Sequence, residues 1–346
     1  MNKTISLFIA LLFLISLFFL FNLTSNDKPE PQEENKETEI RAVWITYFEL
    51  PKNDFENEIN NMFSNLCESK INTVFVHIKP FGKINYDQLK IICNIGEKYS
   101  LDIHAWINPY RVSNTNSFDK NEYPLSDKII KTKSYAFYNP GSKEVKEMIT
   151  NEVVNLVKNY KIKGIHFDDY FYPEDMTKGL DMKEYDKYKG SLSQNEWRRE
   201  NVSSLLKDIY AKIKVINPET IISVSPNADI EKDVSTYFAD VNTWCKEDGY
   251  IDWIIPQIYF GYMNETKPFT EVLNKWNSLV SAKNVKMIVG LAPYKLGLED
   301  KFAGSGKMEF IENKSVILEQ INDVLKLKEK NDKVIGYSLY SYSKMK

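Results

Sequence analysis

Histidine, cysteine and surplus basic charge are what this chain of 346 residues has least of. The three cysteines, Cys67, Cys93 and Cys245, form an odd set without CxxC or Cys/His spacing. That pattern argues against a disulfide framework or a zinc site, and two of the three lie in helix-like runs, where buried free thiols are the expectation. The three histidines, His77, His104 and His166, show no HxH or HExxH spacing. A metal-dependent hydrolase is therefore a weak reading, and hydrogen-bonded histidines lining a core are the favoured one. A formal charge of −3 offers no basic footprint for nucleic acid. No GxGxxG or P-loop follows the first strand-like run, so no nucleotide or other cofactor is called for.

Aromatic residues are what the chain has in plenty: 13%, with 21 Tyr, 19 Phe and 6 Trp. Most belong to packing, but Tyr and Trp on loops also suit a carbohydrate cleft, because a flat ring face stacks on sugar C–H groups while the rim hydrogen-bonds. One long uncharged run exists, ISLFIALLFLISLFFLF at 5–21. With its flanks it approaches the roughly 20 residues that span a bilayer, longer than the ~7–15 of a cleaved signal. Residues 1–23 are thus expected to be an uncleaved signal anchor, with a cleaved, secreted form as second choice. Either way the bulk of the chain lies outside the cytoplasm, with the membrane as partner through that segment. Residues 24–40 are rich in Pro, Glu, Asn and Lys and read as a disordered linker. The folded domain is expected over 41–346.

From Arg41 onward eight short apolar runs alternate with helical patterns. The runs are 41–46, 73–78, 102–108, 164–169, 221–226, 253–259, 287–293 and 335–342; the helices lie near 54–69, 87–99, 142–160, 196–217, 236–248, 268–282 and 312–330. This is the alternation of an α/β protein, and it fits a parallel eight-stranded (β/α)8 TIM barrel; a doubly wound open sheet shares it, but the missing GxGxxG or P-loop argues against that rival. The sequence ends at Lys346, so the final helix is expected to be missing. Ser142 is the expected N-cap of the clearest helix. In such a barrel chemistry gathers where strands end and loops begin. Those ends are polar or aromatic here, and the long loops 109–141 and 170–195 are expected to wall a cleft. The candidate sugar contacts are Trp44, Tyr47, His77, Lys79, Asn108, Tyr110, Arg111, His166, Tyr170, Asn227, Gln257, Tyr259, Tyr294 and Tyr340.

The stretch GIHFDDYFYP (164–173) ends a strand in paired aspartates followed by aromatics. Residues two apart share a strand face. Ile165 and Phe167 then face the helices while His166 and Asp168 point into the barrel. The same parity aligns His104, Trp106 and Asn108 inward on strand three, and Phe75, His77 and Lys79 on strand two. Asp168 and Asp169 are the catalytic candidates. The plainer reading is a structural carboxylate paired with Lys79 or Arg111 for Asp168, and a loop-organising one for Asp169. Glycosidic cleavage usually needs two separated carboxylates, and the nearest others, Asp229, Glu231 and Glu265, lie in loops. One acid/base suffices if a sugar hydroxyl attacks its own anomeric carbon, giving an anhydro sugar.

The segments RAVWIT, INTVFVHIKPFG, DIHAWINPYRV, NPGSKEV, GIHFDDYFYP, WRRENV and VGLAPYKLG, in this order, resemble the glycosyl-hydrolase-like family ten over about residues 40–343. The resemblance implies a (β/α)8 barrel acting on bacterial cell-wall glycan strands as a peptidoglycan glycosidase, in some members a lytic transglycosylase. It also implies Asp168 and Asp169 at the active site, lined by Asn108, Tyr110 and Arg111. The chain departs from the family pattern where Gln-Val-Arg-Pro is His77-Ile78-Lys79-Pro80, where Gly-Asp is Gly82-Lys83, and where an Asp is Lys163. Lys79 lacks the planar fork of Arg, so a looser clamp is expected there. The expected function is glycosidic cleavage of peptidoglycan, with the transglycosylase favoured over the hydrolase. The alternative is a glycan-binding barrel without turnover, and the sequence gives no oligomeric state.

Overall fold

The structure, a computed structural model, describes residues 39–115 and 117–344. The expectations for residues 1–23, and for the linker up to residue 38, lie outside the described residues. Among the described residues no helix is long and apolar enough to cross a membrane. The first strand begins at Ile40, one residue before the expected 41: Ile40 pairs with Gly336, and the Glu39 carbonyl accepts from Asn72 Nδ2 at 2.8 Å.

The barrel strands are β1 (Ile40–Ile45), β2 (Thr73–Lys79), β3 (Asp102–Ile107), β7 (Gly164–Phe167), β8 (Ile221–Val224), β9 (Trp253–Ile254), β10 (Lys286–Leu291) and β11 (Val334–Tyr340). They close in that order, all parallel, with β11 pairing back onto β1. The helices that cover them include α1 (Phe55–Glu68), α2 (Tyr86–Lys98), α3 (Lys143–Asn159), α4 (Met182–Tyr188), α5 (Gln194–Ile216), α6 (Val241–Lys246), α7 (Phe269–Leu279) and α8 (Val316–Lys328). After β11 comes a single turn, Tyr342–Lys344. Helix α3 starts as its sequence dictates: Ser142 accepts from the Val145 N–H at 3.3 Å, and Val145, Ile149, Val153 and Leu156 face the strands at helical spacing. The three cysteines are free thiols, two of them buried.

Strand parity divides the apolar residues into two cores. Val43, Val74, Ile103, Ile165 and Phe167 pack against the helices. Trp44, Phe75, Trp106, Trp253, Ile255 and Ile288 fill the barrel. Rings plug the interior: Phe75 lies 4.3 Å from His166 and 5.1 Å from His104, and His104 stacks on Trp253 at 5.1 Å. Gly164 makes room for this, since a Cβ there would come within 2.4 Å of the His104 ring.

Strand β2 corrects one expectation. Its register with β3 slips between His77 and Lys79, so His77 pairs with Trp106 but Lys79 with Ile107. A bulge reverses the parity after it. Lys79 therefore does not reach the barrel mouth; it is buried under the helix layer, where its ammonium meets Glu152 of α3. A lysine at that depth needs a partner, and α3 supplies it.

Two long loops follow the strands nearest the aspartates. The first folds into a small antiparallel sheet of β4 (Arg111–Ser113), β5 (Ile129–Lys131) and β6 (Ala136–Tyr138). The second is pinned to α5 by a buried fork, with Arg198 Nε donating to Asp181 Oδ2 at 2.8 Å and Nη2 to Oδ1 at 2.7 Å. Arg198→Ala would leave the Asp181 carboxylate buried without a cation, with Gln194 Nε2 still donating to its Oδ1 at 2.7 Å. The expected loss is roughly 3–5 kcal/mol in urea unfolding, with faster proteolysis between residues 173 and 192. A loss below about 1 kcal/mol would show that the fork does not hold the loop.

Candidate active site

Asp168 stands at the end of β7 on top of the ring-filled interior and is 3% exposed. The Trp106 Nε1–H donates to its Oδ2 at 3.0 Å, and the Tyr170 N–H to its Oδ1 at 3.0 Å. Burial, and after it the charge of Asp169, push the Asp168 carboxyl far above its usual range; the two hydrogen bonds and the Arg111 charge oppose this without matching it. Trp106 is itself held by stacking on His77, rings 3.8 Å apart and 6° from parallel. Burial lowers His77 to about 3, so the imidazole stays neutral.

Asp169, the next residue, lines a recess with Tyr110, Arg111 and Glu174. Burial raises it too, while backbone hydrogen bonding, Gln257 and the charges of Arg111 and Lys232 pull it back. The Arg111 guanidinium lies 4.2 Å from the centre of the Tyr170 ring and 5.2 Å from that of Tyr135. Across the mouth Tyr259, Tyr294 and Tyr340 pack on one another with centroids 5.8–6.0 Å apart. Tyr47 meets the His77 ring edge-on at 5.6 Å.

The candidates thus divide. Tyr47, His77, Arg111, Asp168, Asp169, Tyr170, Gln257, Tyr259, Tyr294 and Tyr340 gather around the mouth, and Tyr110 borders a recess beside Asp169. Trp44 and His166 lie below, in the plug: Trp44 Nε1 donates to His166 Nε2 at 3.0 Å, and the other ring nitrogen of His166 meets Ser223 Oγ at 2.8 Å. Both are packing residues, as burial deep in the interior requires. Asn108 is wholly buried. Asn227 turns its side chain into its own loop, accepting from the Asp229 N–H at 3.0 Å. Lys79 lies with Glu152, so neither it nor a direct ion pair explains Asp168.

Asp233 had no signal in the sequence. It sits on a π-helical turn, Asp233–Tyr237, with no exposure. Its Oδ1 accepts from the Asn227 N–H at 3.0 Å, and burial followed by the Asp169 charge raises it well above the usual range. Both effects favour the protonated form of this carboxyl, which interacts with Asp169. The loop carboxylates are engaged elsewhere: Asp229 caps the turn at residue 230 and pairs with Lys267, and Glu265 accepts from the Ser305 N–H at 3.0 Å. Trp106 was legible as inward-facing, but its bond to Asp168 was not.

The profile of the glycosyl hydrolase-like 10 family matches residues 81–304. The chain belongs to this family. The glycosyl hydrolase DigH of Escherichia coli is 31% identical over 282 residues, covering 67% of this chain and 64% of that protein. The glycosyl hydrolase YngK of Bacillus subtilis is 27% identical over 340 residues, covering 82% of this chain and 64% of that protein. The chain therefore spans just under two thirds of the length of these relatives. Among solved structures, the glycoside hydrolase domain of PgaB (BpsB) from Bordetella bronchiseptica shares the fold with a TM-score of 0.57 at 10% identity, over 89% of this chain and 95% of that one. The glycosyl hydrolase-like 10 barrel and its family are thus as the motifs led one to expect.

The raised carboxyl of Asp168 sets a sign for stability. A carboxyl whose folded-state pKa lies above its unfolded value favours folding while protonated, and that contribution is lost as pH rises from the unfolded pKa through the folded one. Asp168→Asn removes the penalty. At pH 8 the variant is expected to be more stable than the parent by on the order of 1–3 kcal/mol, with the gap closing towards pH 4. Urea unfolding at both pH values checks this, and a variant less stable at pH 8 than at pH 4 relative to the parent contradicts it.

Proposed function

We propose that this barrel is a glycosidase that cuts the glycan strands of peptidoglycan, with Asp168 as its acid and base. The observation that carries the reading is a buried carboxyl, raised by its surroundings, at a barrel mouth ringed by tyrosines. A carboxyl kept protonated near neutral pH can give its proton to a departing glycosidic oxygen, and tyrosine faces suit sugar rings. Membership of a glycosyl hydrolase-like family supports the reaction class. The expected apolar anchor over 1–23 supports the cell wall as the place of action, with the barrel held outside the cytoplasm.

The second step favours an anhydro product. Asp168 and Asp169 are neighbours on one strand end, so they do not flank a bond with the ~5–9 Å separation of two-carboxylate mechanisms. Asp229 and Glu265 are engaged in their loops, and Asp233 is sealed from solvent. The sugar's own C6 hydroxyl then serves as nucleophile. Its oxygen bonds to C1 as the C1–O bond to the leaving sugar breaks. The leaving oxygen takes the Asp168 proton, and the hydroxyl proton returns to the carboxylate.

Purified protein incubated with glycan strands in ¹⁸O-labelled water is expected to release anhydro-muramyl ends without label. Label on every new reducing end means hydrolysis instead. Asp168→Asn is expected to lower kcat by roughly 10²–10⁴-fold, and the parent's rate is expected to fall as pH rises through the raised Asp168 pKa. Full activity in Asp168→Asn removes this residue from the mechanism, and tight binding to cell wall without soluble products would favour a binding barrel.

A further inference from the structure

The register of β2 with β3 sets His77 opposite Trp106, and the strand slips only after His77. The two rings come from paired positions and lie flat on one another, 3.8 Å apart and 6° from parallel. His166 meets the same indole nearly at a right angle, at 6.1 Å. Tyr47 meets the His77 ring edge-on and packs in turn on Phe81 at 5.5 Å. His77 thus joins a tyrosine of the rim to a tryptophan of the plug.

What His77 contributes here is a flat face. Its Nε2 has no protein partner, and burial lowers the imidazole to about 3. Near neutral pH it therefore carries no charge and is neither acid nor base. Trp106 gives its N–H to Asp168 Oδ2 at 3.0 Å. An indole is rigid and its N–H lies in the ring plane, so whatever fixes the plane also fixes the direction of the donor. A hydrogen bond weakens steeply as its angle closes, so a tilt of the indole is felt at the carboxyl.

We propose that His77 is a positioning residue for the acid: by fixing the plane of Trp106 it aims the indole N–H at Asp168. The proposal rests on the glycosidase reading for its kinetic readout. The bond from Trp106 favours the charged carboxylate and opposes the larger effects that raise Asp168. With the indole loosened, the carboxyl rises further and loses its fixed orientation.

Two variants separate face from volume: His77→Leu fills the space without a flat face, and His77→Phe keeps the face without the nitrogens. His77→Leu is expected to lower kcat about tenfold with little change in KM, and to move the alkaline limb of kcat up by about half a pH unit. His77→Phe is expected to recover most of both changes. In a Trp106→Phe background, which lacks the N–H, His77→Leu is expected to shift the limb no further. The other titratable groups that act on Asp168 are Asp169 and Tyr170 on its own loop, Arg111 on β4, and Tyr259 and Tyr340 across the mouth; all are the same in every variant. A fall in kcat with an unmoved limb is what a merely structural loss gives, and it overturns the assignment. So does an equal shift in the Trp106→Phe background, or a His77→Phe protein that behaves like His77→Leu. Titration of the Asp168 carboxyl by ¹³C NMR reads the same shift without substrate. A shift in a protein that cleaves no strand sinks the glycosidase reading and keeps the role of His77; cleavage with an unmoved titration does the reverse.

Discussion

A carboxyl group kept out of water at the top of an aromatic plug is the constraint on which the rest of this molecule turns. Most barrels of this kind fill their interior with branched aliphatics. Here Trp44, Phe75, Trp106, Trp253 and two buried histidines do so. Burial keeps both neutral, but only His166 is hydrogen-bonded as expected, to Trp44, Ser223 and Ser225; His104 stacks on Trp253 with no partner for either ring nitrogen. The plug presents the Trp106 N–H at the floor of the mouth, and Asp168 is bound to it. Desolvation does the remaining work by favouring the protonated acid.

Around that floor charged groups stand on more than one side: Lys295 pairs with Asp300 beside Tyr259, and a second set surrounds Asp169. Asp169, Arg111, Gln257 and Lys232 interact on one flank, next to the Asp233 carboxyl, which burial and the Asp169 charge raise. The pair of adjacent aspartates thus divides into two environments, although both follow the same strand. A pair split in this way assigns different tasks to chemically identical groups. The π-helical turn that carries Asp233 is a further sign, since such turns are strained relative to α-helix and frequent at functional sites.

The loops that wall the cleft are held as firmly as its floor. The loop after β3 is stiffened by its own small sheet, and the loop after β7 by the Arg198–Asp181 fork. Arg111 joins the two by lying between Tyr135 of one and Tyr170 of the other. Cation–π contact of this sort is worth about 0.5–2 kcal/mol, and it fixes the orientation of the guanidinium beside Asp169.

The strands, the helices, the inward face of β3 and β7 and the position of the aspartates at a strand end were determined by the sequence itself. Each follows from a local period, two for strands and 3.6 for helices, or from a cap such as Ser142. Where the period broke, the sequence misled: a bulge after His77 sent Lys79 to Glu152, and no spacing rule foretells a one-residue slip set by the neighbouring strand. Depth was equally illegible. Trp44 and His166 share the inward face with Asp168, but only closure of the barrel decides which layer is buried and which meets the cleft. The raised carboxyls of Asp168, Asp169 and Asp233 belong to tertiary structure for the same reason, because desolvation depends on groups brought together from distant parts of the chain.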